Sequence, residues 1–437
     1  MMNIIIKKCM LIALCCSGTY NFAMMPLNDK ELSFIDGQAL LSMEVQKGFN
    51  QNDAIGNTYN QSNLSFYKLG LEAEMEINTN IKKLQLGCGG TNGANGCDID
   101  IDHIALSGYP GIGYDTDSLS GANARAGSSA LIVNPFIQLA IKNPDQASIR
   151  EVVGFRLSAE KISGLLTLGL ENSNTPNGIN SFSGYMKTKA SSGVARTAEG
   201  EMNFSSTGQN IEGAVKGKLF GITLPLDLHY TADVYNFKLQ ETNAPFTIPS
   251  TIVSGTRMKE VELKGTGTVD TINFSGPLEA QLLDGFLTLK KDITGYLTGL
   301  KTDITVTQNL GLIHALYLNN PASLSLQSIN VLWPGAAVAA NQGWWLSMED
   351  EVDLGSISPT DKVIITPEVL KQTIAGINSD LTSKPRECGD LLLGCIATAA
   401  LDVGEIKNPT LIEFPLNNLN LAGQNFAPNC FGGYKFC

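Results

Sequence analysis

The densest set of chemically able side chains in the sequence is acidic. Asp98, Asp100 and Asp102 alternate with Ile99 and Ile101, and an extended strand projects alternate residues from one face at intervals of about 7 Å. That spacing is too wide for a single calcium ion unless a loop adds oxygens. Asp115 and Asp117, at the end of the Gly-rich stretch 108–117, are the residues that could add them. The row therefore has two readings, a calcium site formed by all five aspartates or a solvated strand face. A second acidic run, Glu349, Asp350, Glu351 and Asp353, follows Trp344 and Trp345. Adjacent strand residues point to opposite faces, so one indole is expected in the core and the other near the surface as an interaction residue.

The three histidines, His103, His229 and His314, each stand in a strand-like setting with no metal-ligand partner at helical spacing. The sequence contains no H-E-x-x-H, no G-x-S-x-G, no P-loop and no strand–G-x-G-x-x-G–helix unit. A scattered triad would escape such a search. No catalytic residue and no cofactor is expected.

An amino-terminal leader sets the redox compartment. Asn3 to Lys8 is basic, Cys9 to Cys16 is a short apolar run, and Ser17 to Ala23 ends in a small residue, the pattern of a secretory signal peptide spanning 1–23. Ile12-Ala13-Leu14-Cys15 offers a lipoprotein signal as the rival reading. Beyond the leader six cysteines remain, in three local couples: Cys88 with Cys97, Cys388 with Cys395, and Cys430 with Cys437. An even number in an exported chain reads as disulfides, and proximity selects this pairing. The alternative is a metal site, but the spacings are not those of zinc ribbons and no histidine lies near any couple.

Composition narrows the class. The formal net charge is −12, only 16% of residues are charged, and 43% are hydrophobic. A disordered chain and a nucleic-acid binder are both excluded. Period-2 patterning runs through Lys68 to Asn78, where Leu69, Leu71, Ala73, Met75 and Ile77 form an apolar face expected to be dry and Lys68, Gly70, Glu72, Glu74, Glu76 and Asn78 a wet one. The same alternation recurs in Pro135 to Ile141, Phe155 to Ala159, Ile211 to Leu219, Ile304 to Val306 and Leu324 to Leu326. The fold class is mainly β, an elongated antiparallel β-sandwich or stacked-sheet body. Its expected divisions are 24–62, an amino-terminal helix and lead-in; 63–354, the β-rich body; and 355–437, a region with one helix and two disulfide loops. Asn28 and Glu31 form a capping box for the first helix, which Gly37 can end. The second helix starts at Pro367 and carries the stripe Val369, Leu370, Thr373, Ile374, Ile377 and Leu381. A weak repeat around Ile104, Ile162, Ile272, Ile329 and Ile406 reads either as stacked β units or as coincidence among strands.

Leu27-Asn28-Asp29-Lys30-Glu31-Leu32-Ser33-Phe34-Ile35-Asp36-Gly37-Gln38-Ala39 resembles the opening of exported β-rich pilus-assembly proteins of the Fil A type from Acinetobacter-like bacteria. The E-L-S-x-I-x-G core is also similar to double-glycine leaders, with Gln38 in place of the second glycine. The first resemblance implies a cell-envelope or surface role linked to pilus biogenesis, without assigned catalytic residues. The expected function is thus a non-enzymatic structural or adhesive protein of the Gram-negative envelope or fimbria. It would be exported to the periplasm, outer-membrane surface or pilus, and its partners would be other envelope or pilus proteins, with the outer-membrane surface as a further contact and nucleic acid excluded. The alternatives are an outer-membrane β-barrel and a periplasmic binding module.

Overall fold

The structure is a computed structural model that describes residues 40–108, 128–170, 175–219, 222–223, 227–282, 287–352, 357–359, 362–390 and 400–421. The leader, the helix expected at Asn28–Gly37, Asp115, Asp117, Cys395, Cys430 and Cys437 lie outside the described residues.

The chain is mainly β and builds several sheets. The largest has twelve strands. In chain order these are β1 (Leu41–Lys47), β2 (Leu64–Leu71), β3 (Glu74–Ile77), β4 (Thr79–Leu86), β5 (Ile99–Ser107), β6 (Ala130–Lys142), β7 (Glu151–Thr167), β8 (Ile179–Thr188), β9 (Thr251–Met258), β10 (Ala315–Asn320), β11 (Ala322–Gln327) and β12 (Gly343–Val352). Its main path runs β1-β2-β6-β7-β11-β12-β8-β5-β4, with β3 on β6, β9 on β8 and β10 on β7. The first half of β5 pairs with β8 and its last residues pair with β7. The switch of partner occurs around His103, which takes a left-handed φ of 49°. It closes a circuit of five strands, β7-β11-β12-β8-β5.

Two further eight-stranded sheets, drawn from Ser191 onward, share a large core. Strict alternation makes this part a sandwich. Ile211, Val215, Ile304 and Val306 are buried, while Glu212 and Lys216 between them are exposed. The Pro367–Ser383 helix lies against this core with Val369, Leu370, Thr373, Ile374, Ile377 and Leu381 buried, the stripe its spacing predicts. A Cβ at Gly376 would come 2.7 Å from Ile406 Cγ2, so the glycine that weakens the helix also lets it sit close to the sheet.

Two expectations need correction. The pairing is mostly antiparallel but includes parallel joins: β8 with β12, Ile211–Leu219 with Arg386–Asp390, Leu287–Thr298 with Leu401–Lys407, and Lys301–Asn309 with Leu411–Asn417. The strands beyond 355 join both sheets of the sandwich. The weak repeat is not structural, since Ile272 opens a strand fully buried while Ile329 is 36% exposed outside any strand.

Candidate functional site

The cross-strand register places two apolar rows on one face of the large sheet. Met43, Leu69, Ile137, Leu157, Leu324 and Leu346 are successive partners across β1, β2, β6, β7, β11 and β12. Val45, Tyr67, Leu139, Phe155, Leu326 and Trp344 make the adjacent row. Strands pack about 4.8 Å apart, so each row runs roughly 24 Å. At the β11–β12 end Leu324, Leu346 and Trp344 pack against the main core. Toward β1 the face is open, with Met43 79%, Val45 53%, Leu69 48% and Leu157 48% exposed. The apolar surface of the interior thus continues out to an edge strand with nothing over it among the described residues.

The opposite face is polar and covered. Gln138, Arg156, Ser158, Ser323, Ser325, Gln327 and Ser347 are all buried there. Residues 328–342 close over them, inserting Val331, Trp333, Val338 and Ala340 against Leu64, Phe66, Tyr185 and Trp345. Gln61 fixes this cover by donating to the Leu332 carbonyl and accepting from the Leu332 N–H, both at 2.8 Å. A Cβ at Gly154 would meet Trp333 Cζ2 at 2.9 Å, so that glycine makes room for the indole. The period-2 reading of these strands is correct and the sidedness is inverted: the leucines expected to be dry face outward.

Within the covered face the Tyr185 hydroxyl donates to Glu349 Oε2, and the Ala337 N–H reaches both groups, at 3.0 and 3.2 Å. Burial is the main cause raising the pKa of Glu349 and of Tyr185. Arg156 stacks its guanidinium 5.3 Å from the Trp333 ring and 5.4 Å from the Phe136 ring. Burial lowers its pKa to about 10. Of the two tryptophans, Trp345 is 1% exposed beneath the cover, and Trp344 is half-buried against the main core at the end of the second apolar row.

The acidic row is taken apart by its partners. Asp98 is 3% exposed and accepts from Arg257 Nε at 3.0 Å, Asn92 Nδ2 at 2.8 Å and the Trp344 N–H at 3.0 Å. Asp100 and Asp102 share Lys83, at 3.0 and 2.9 Å. Hydrogen bonds from Gln85, Lys83 and Asn180 outweigh burial and hold the Asp100 carboxyl below its usual value. The three carboxylates thus do not project together from one solvated face. Among the described residues no three His, Cys, Asp or Glu side chains gather to hold a metal ion.

Cys88 and Cys97 form a disulfide, as their spacing predicts. Cys388 lies in the strand Arg386–Asp390. Nothing local in the sequence marks the residue that organises the first disulfide loop. Arg257 spends all five of its N–H donors there, on Asp98 Oδ1 and on the carbonyls of Gly87, Gly89, Gly93 and Asn95. Of the histidines, His314 is buried with Nδ1 2.9 Å from the Leu168 carbonyl. No protein-family model matches the chain, and neither does any curated protein or solved structure.

Proposed function

We propose that this chain is a non-catalytic scaffold of the bacterial cell envelope that docks another envelope protein onto the open half of its large sheet. A pilus-assembly component is the partner that the resemblance of residues 27–39 suggests. The observation that carries the reading is the pair of apolar rows ending on Met43 and Val45 at the edge of the sheet. Soluble monomers leave few contiguous apolar areas of this size uncovered. A strand added beside β1 would lengthen both rows and satisfy the outer N–H and C=O groups of β1, the mode of β-augmentation. Lipid also accepts an apolar face backed by a polar one, as in outer-membrane barrels. It leaves a strand edge without hydrogen-bond partners, which favours a protein.

The test is site-specific photocrosslinking in the producing bacterium. A photoreactive side chain at Met43 or Leu157 is expected to capture one defined envelope protein, and the same group at exposed Glu212 on the sandwich is not. Loss of that adduct on Leu69→Glu, with the protein still folded and exported, supports the reading. Retention of the mature chain in the cytosol, or co-flotation with protein-free phospholipid vesicles through the same face, overturns it.

A further inference from the structure

The covered face holds three buried polar atoms with no partner among the described residues: Arg156 Nε, Ser325 Oγ and Trp345 Nε1. The register sets their residues side by side. Ser325 is the direct partner of Arg156 across β11–β7 and of Trp345 across β11–β12. Directly opposed residues on one face have Cβ atoms about 5 Å apart, within reach of one shared small ligand. Two of the three groups can only donate, and the serine hydroxyl can donate as well. What they lack is an acceptor.

Charge sharpens the identity of that acceptor. Arg156 Nη2 donates to Gln138 Oε1 at 2.6 Å and to the Pro334 carbonyl at 3.0 Å, both neutral. Among the described residues the guanidinium forms no ion pair, although it is 5% exposed. The charge of Glu349 acts on the guanidinium, but the hydrogen bonds of its carboxylate go to the Tyr185 hydroxyl and the Ala337 N–H instead. A buried cation without a paired anion, next to two further unspent donors, is a costly arrangement in a protein interior. A water molecule would answer the hydrogen bonds and leave the charge.

We propose that residues 328–342 close over a binding site for a monatomic anion of chloride size, held by Arg156 Nε–H, Ser325 Oγ–H and Trp345 Nε1–H. The ion neutralises Arg156 and ties β7, β11 and β12 together beneath their cover. The site is thus a stabilising element of the large sheet, independent of the outer apolar face.

The experiment uses the whole purified protein dialysed into sodium gluconate. Thermal unfolding is followed while chloride replaces gluconate at constant ionic strength, and tryptophan fluorescence is followed during titration with iodide. A midpoint that rises with chloride along a single-site curve, and a saturable iodide quench, are expected. Trp345→Phe and Ser325→Ala each remove one donor, the former at some loss of packing, and each is expected to move the chloride dependence to about tenfold higher concentration, the loss of one hydrogen bond to a charged group. Crystals soaked in bromide should show an anomalous peak within hydrogen-bonding distance of all three atoms. Identical unfolding in chloride and gluconate, with no bromide peak there, overturns the proposal and leaves water as the shared partner.

Discussion

Arg257 Nε donates to Asp98 Oδ1 at 3.0 Å across 159 positions of sequence. The pair fastens the loop closed by Cys88 and Cys97 to strand β9, and it does so in a nearly dry setting, with the two side chains 15% and 4% exposed. Arg257 itself holds a left-handed φ of 52°, a backbone cost tolerated because the surrounding bonds fix it. Removing either partner strands the other charge. Arg257→Met or Asp98→Asn is expected to cost about 3–5 kcal/mol, whereas the two combined should cost less than the sum of the singles. Urea unfolding of the four proteins in a double-mutant cycle checks this.

The disulfide is a local restraint. Cys88 and Cys97 are nine residues apart, and a loop of that length contributes about 2–3 kcal/mol in the chain-entropy picture. Cys88→Ser with Cys97→Ser is expected to lower stability by that amount and to raise amide exchange in residues 87–97, leaving the sandwich protected. Hydrogen-exchange mass spectrometry reads both effects. Global unfolding at room temperature would contradict this.

The two faces of the large sheet should answer oppositely to mutation. Phe66 is fully buried, with its ring centroid 5.7 Å from that of Trp333, so Phe66→Ala is expected to cost about 3–5 kcal/mol. Ile137 is 41% exposed, and Ile137→Lys should change stability by under about 1 kcal/mol while improving solubility. Denaturation midpoints and light scattering of the two variants decide the matter.

Glu349 links stability to pH. Burial raises its pKa in the fold, so the folded state holds the proton more tightly than the unfolded state does. Its contribution is complete below the ordinary glutamate range and is lost as pH rises through the elevated value. Glu349→Gln keeps an acceptor for Tyr185 and for the Ala337 N–H and has no proton to lose. Its melting temperature is expected to fall less steeply than that of the wild type from mildly acidic to mildly alkaline pH, as differential scanning calorimetry can measure.

Strand periodicity was legible in the sequence; which side faced inward was not. Phe155-Arg156-Leu157-Ser158 alternates as a half-buried strand should, yet Arg156 is 5% and Leu157 48% exposed. The inversion comes from residues 328–342, which cover the serines and the arginine, and nothing in β7 announces a cover 170 residues away. The helix at Pro367–Ser383 was readable because its first proline and its stripe are both local. The Cys88–Cys97 bridge was readable for the same reason. Arg257 was not, since its five acceptors are four carbonyls and one carboxylate that only the fold assembles. Trp344 and Trp345 were assigned to opposite faces because that follows from strand geometry alone, whichever face is covered.

The parallel joins made by Leu401–Lys407 and Leu411–Asn417 fix an order of events during biogenesis. Ile293 and Leu297 in one sheet, and Ile304 and Val306 in the other, lie on strands whose outer neighbours are these late segments. One sheet reaches its full width only once residue 407 has been made, the other only once residue 421 has. A nascent chain that stops short of residue 407 keeps an unzipped border on each sheet, a row of unspent N–H and C=O groups that only the last strands close.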